Sequence, residues 1–90
     1  MELKQLSVED IRQYASAARE LIENPVVDYV FTKLSDSYLT EFVGSDPQEK
    51  DRREAAYYKV NALQDLKAEL VGLVIAGEQE AIQEQEKMYD

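Results

Sequence analysis

The sequence predicts an all-α fold. A short N-terminal helix is followed by a helical hairpin, over residues 7–23, 25–43 and 47–76, with an acidic C-terminal tail that can extend as helix. Three observations predict it. Apolar residues recur at spacings of three and four in three separate segments. Both prolines follow an Asx residue, in Asn24-Pro25 and Asp46-Pro47, the arrangement that opens a helix. The stretch joining the second and third segments is short, as in an αα-hairpin.

In the first helix Ser7 is the expected N-cap, with Asp10 at the third helical position as in a capping box. Val8, Ile11, Ala15, Ala18 and Ile22 then share one face, flanked by Tyr14 and Leu21. Pro25 disfavours helical conformation at Asn24, so the first helix is expected to end near Glu23 and Asn24 to cap the second. The second helix carries Val27, Phe31, Leu34, Tyr38 and Phe42 as its stripe, broadened by Val26, Val30 and Leu39. Gly44 is the expected C′ residue.

The third helix is expected to start with Asp46 as cap, Pro47 first in the helix and Glu49 closing the box. Its stripe is Ala56, Val60, Leu63, Leu66, Leu70, Leu73 and Val74. Within it, the interior Gly72 is either a tolerated glycine or a point where another helix comes close, and Gly77 is the expected end. Residues 78–90 form a Glu/Gln-rich tail with a thin apolar face of Ala81, Ile82 and Met88.

Ninety residues make a single helical domain, 1–90, at most. A chain of this size buries only about 60% of its unfolded surface, so a lone monomer is marginal and pairing with another chain completes such cores. Cysteine and histidine are absent, which excludes disulfides, thiolate chemistry and the commonest general base and metal ligand. The net charge of −9 repels phosphate backbones, so direct nucleic-acid binding is not expected. The longest apolar run, residues 70–77, is too short for a bilayer, and the polar N-terminus has no leader-like run, so no membrane partner is expected.

Glu20 and Glu23 form an E-x-x-E pair of the kind that holds magnesium in all-helical nucleotide pyrophosphohydrolases. The required second pair is missing: Glu41, Glu54 and Glu69 are followed at the third place by Gly44, Tyr57 and Gly72. Asp46 and Glu49 have a suitable spacing, but capping accounts for them. No phosphate loop or serine–base pair is present. The chain is expected to be no enzyme, with no catalytic or metal residue, no cofactor and no small-molecule substrate.

Candidate contact residues remain. Lys50, Arg52 and Arg53 form the basic cluster, either as intrahelical ion pairs with Asp51 and Glu54 or as a patch for an acidic neighbour such as another copy's tail. Tyr14, Tyr29, Tyr38, Tyr57, Tyr58 and Tyr89 are many for a chain without Trp. Tyr29 sits beside the stripe of the second helix, Tyr57 is expected to join the core and Tyr58 to face outward; the tyrosines are either partly buried within one subunit or, at Tyr29 and Tyr58, interface residues. Gly72 completes the interface candidates.

Leu21, Asn24, Pro25, Tyr38, Asp46, Asp51, Arg53, Glu54, Leu63, Leu70 and Gly77, spread over about residues 14–80, resemble the pattern of small phage and prophage proteins encoded near terminase and head genes. That resemblance implies a bacteriophage origin and a virion-associated or assembly role. The chain would act by self-association or by docking onto a larger protein complex. The alternative is a phage-encoded inhibitor that binds a host protein through an acidic surface. Either role implies a protein partner, a homo-oligomer in the first case, and a location in the host cytoplasm when made or in the virion.

Overall fold

The computed structural model describes residues 6–88. It contains α1 (Val8–Glu23), α2 (Pro25–Gly44) and α3 (Lys50–Met88), with no strand among the described residues. Residues 1–5 of the expected lead, Tyr89, Asp90 and the side chain of Met88 lie outside that description. The chain divides into two compact units. One pairs α1 with α3 from Glu69 onward; the other is the hairpin Glu23–Ala68.

The helix starts follow from short polar side chains. Asp10 N–H donates to Ser7 Oγ at 3.1 Å, and Ile11 N–H to the Ser7 carbonyl at 2.9 Å. Glu9 and Asp10 stand in the first turn of α1, where the macrodipole favours carboxylates. Asn24 is extended, as a residue before proline should be, and its Oδ1 accepts from Val26 N–H at 2.8 Å and Val27 N–H at 3.3 Å.

The end of α2 differs from expectation. Gly44 is its last helical residue rather than a left-handed C′, and no described glycine has positive φ. Ser45, also extended, ends the helix instead. Its N–H reaches the Phe42 carbonyl at 3.3 Å and its hydroxyl donates to the same oxygen at 2.6 Å. That carbonyl is satisfied without a left-handed turn.

The start of α3 differs as well. Asp46 to Glu49 form a closed turn, with Glu49 N–H on the Asp46 carbonyl at 2.8 Å. Both expected side-chain bonds form within it: Asp46 N–H donates to Glu49 at 3.1 Å and Gln48 N–H to Asp46 at 3.3 Å. Glu49 then accepts from Arg53 N–H at 3.0 Å, so the helix begins at Lys50 and Pro47 sits in the turn. The capping bonds fall one turn ahead of the helix.

In the hairpin unit α2 and α3 run antiparallel. Val27, Phe31, Leu34, Tyr38 and Phe42 are half-buried, as are Val60 and Leu63 opposite them. Ala56 is fully buried and is the centre of the α3 face. Two expectations fail here. Leu66 is 54% exposed and Tyr57 is 56% exposed. At 100° per residue, Tyr57 lies 100° round the helix from Ala56 on one side, and Leu66 some 80° round it on the other. One neighbouring helix does not cover so wide an arc.

In the other unit α1 lies antiparallel to α3. Ala15 and Ala18 are buried between the helices, with Ile11 and Ile22 half-buried beside them. A third expectation fails at Gly77, where α3 does not end. It continues to Met88, so the acidic tail is helix through that residue. A glycine inside a helix costs about 1 kcal/mol against alanine. Here the lack of a side chain lets Ala15 approach: a Cβ on Gly77 would overlap the Ala15 Cβ. The close helix approach, one of the two readings of Gly72, occurs at Gly77 instead. A Cβ at Gly72 would meet nothing within 4 Å.

Candidate interaction surface

The described residues bury little that is large. The buried positions are Ala15, Ala18, Ala56 and Ser45, and no large side chain is fully enclosed. Fourteen large hydrophobic side chains stand exposed. Each helix therefore spends one face on its neighbour inside the chain and presents further apolar surface outward.

In the hairpin unit Tyr29 and Tyr58 are each 64% exposed; the outward placement is the one expected of Tyr58 and one of two readings for Tyr29. The rings of Tyr57 and Tyr58 meet edge to face, 5.9 Å between centroids at 63°. Both tyrosines therefore belong to the surface, and no core member stands between them. The basic cluster does not act as one patch. Lys50 is exposed. Arg52 bonds Glu49 at 3.3 Å and approaches Glu41 of α2 at 3.9 Å. Arg53 lies over the Phe42 ring at 4.8 Å, and further along Lys59 lies over Tyr38 at 5.7 Å. These cations fasten α3 to α2. The Asp46 N–H, and after it Arg52, hold the Glu49 carboxyl below its ordinary pKa.

In the α1 unit two arginines missed at the sequence level take up the acids of α3. Arg19 bonds Glu78 at 2.9 Å, and Arg12 bonds Glu84. The Glu84 bond and charge raise the Arg12 pKa. The pairs edge a shallow groove floored by Ala15, Gly77 and Ala81. The sequence signal was available: small residues sit on the facing stripes of both helices, and Arg12 and Arg19 lie two turns apart on α1. The helix end expected at Gly77 masks it. Gly72, the remaining candidate, is exposed on α3.

Among the described residues no group of three or more acidic, His or Cys side chains is placed to hold a metal ion, and no helix is long and apolar enough to cross a membrane. Comparison with family models, characterised proteins and solved structures finds no match.

Proposed function

We propose that this chain is a non-enzymatic interaction protein that acts by self-association or by docking onto a larger protein assembly. One observation carries the proposal: among the described residues only three alanines and a serine are buried, while fourteen large apolar side chains are exposed. Below about 70–80 residues a core rarely supplies more than 3–5 kcal/mol, and a ninety-residue chain split into two helical pairs stands close to that limit. Cysteines are absent, so no disulfide adds to it. Association is the remaining route to burying the exposed side chains.

The resemblance to small phage proteins makes a phage particle, or its construction, the natural assembly. The rival role, a host-directed inhibitor with an acidic surface, has less support. Glu78 and Glu84 are taken up by Arg19 and Arg12 of the same chain, which leaves the C-terminal acids less free to meet a basic partner.

Sedimentation of the purified chain over a wide concentration range, followed by mass spectrometry of purified phage particles, tests this role. A concentration-dependent oligomer, or the chain recovered in particles, is the expected result. A cooperatively folded monomer that is also absent from particles would sink it.

A further inference from the structure

We infer that α3 pairs with α3 of a second copy across the face turned away from α1, with Gly72 at the crossing. This rests on the association role above and names its partner and its seat.

The face is defined within the α1 unit. Gly77 and Glu84 turn toward α1. On the opposite arc of about 140° lie Val71, Gly72, Ile75, Ala76, Gln79, Ile82 and Gln83. Val71, Ile75 and Ile82 are 38%, 47% and 55% exposed. No residue of this arc between Leu70 and Glu84 is charged, although 32% of the chain is. The acids Glu69, Glu78 and Glu80 lie at its edges or beyond. Two chains of net charge −9 repel, so a self-contact requires such an uncharged seam.

The relief of the face is self-complementary. Val71, Ile75 and Gln79 follow one another at intervals of four and form a ridge. Gly72 and Ala76 form the adjacent shallow row. A two-fold axis lays the ridge of each copy over the shallow row of the other, the i±4 packing that crosses helices at about −50°.

Gly72 gives the face its second argument. Glycine inside a helix costs about 1 kcal/mol against alanine. Gly77 has its reason within the chain, in Ala15; among the described residues nothing lies within 4 Å of a Cβ at Gly72. A second helix supplies the missing reason.

Sedimentation equilibrium of the full chain, with circular dichroism as the folding control, tests the seat. The comparison is between wild type, Gly72→Leu, Ile75→Glu and Gly44→Leu; Gly44 is equally open within the chain. Wild type should dimerise, and more tightly in about 0.5 M salt than in 0.05 M, because screening weakens the repulsion. Gly72→Leu and Ile75→Glu should weaken the dimer by roughly tenfold or more with helicity unchanged. Gly44→Leu should dimerise as wild type. A wild-type oligomer indifferent to Gly72→Leu overturns this seat while the association role stands. A monomeric wild type overturns the seat too; recovery in particles would then leave docking onto other proteins in place.

Discussion

Gly77 of α3 and Ala15 of α1 lie so close that a Cβ on one would overlap the Cβ of the other, with the Ala15 Cα at 3.9 Å from that position. Gly77→Ala should therefore cost about 1–3 kcal/mol, as overpacking does. Gly44→Ala should do the opposite. Gly44 is helical, has no positive φ and no atom within 4 Å of a new Cβ, so alanine should stabilise by about 0.4–1 kcal/mol through the unfolded state. Urea unfolding of both at one protein concentration checks the sign. Stabilisation by Gly77→Ala would mean that α1 does not pack there.

The ion pairs beside Gly77 should matter less than the glycine. Arg12, Glu84, Arg19 and Glu78 are all half or more exposed. Exposed pairs contribute little and are screened by salt. Arg12→Ala and Arg19→Ala should each destabilise slightly at low salt and converge on wild type in about 0.5 M salt. A larger loss that persists in high salt would show that the arginine stems, not their charges, hold α1.

Asn24→Ala should remove the two bonds to Val26 and Val27 N–H and destabilise the chain by about 1 kcal/mol, while Asn24→Asp should largely retain stability. Thermal melts of the three proteins decide it. Equal loss in both variants would mean the cap bonds are not what starts α2.

Glu49 should produce an acid-dependent loss. Its folded pKa is depressed by the Asp46 N–H and by Arg52, so its contribution is present above the unfolded value of about 4.3. It disappears as pH falls through the lower folded value. An NMR titration of the Glu49 carboxyl should give a midpoint below that of a free glutamate, and Glu49→Gln should flatten this part of the stability profile. An ordinary midpoint would remove the turn bond as a stabilising contact.

Removing residues 78–90 deletes Glu78, Glu84 and the α3 surface around Ala81 that faces α1. Amides of α1 should then exchange with solvent rapidly, while those of the hairpin Glu23–Ala68 keep their protection. Loss of protection across both units together would show that they fold as one cooperative body.

The sequence by itself determined the class of fold and most of the helix boundaries, because those are set locally. Ser7 and Asn24 cap through bonds that span two or three residues, and proline restricts the residue before it whatever the rest of the chain does. The α2 stripe from Val27 to Phe42 was legible for the same reason: period alone selects a face. What only the tertiary structure decided is which neighbour each face of α3 meets. Its threes and fours belong to two successive partners, α2 before Ala68 and α1 after it, and a summed stripe put Leu66 and Tyr57 inside when both stand exposed. The two glycines of α3 are equivalent in sequence, both interior and both costly to a helix. Gly77 continues the helix and Gly72 stands open because Ala15, brought in from more than sixty residues away by the fold, lies against one and not the other.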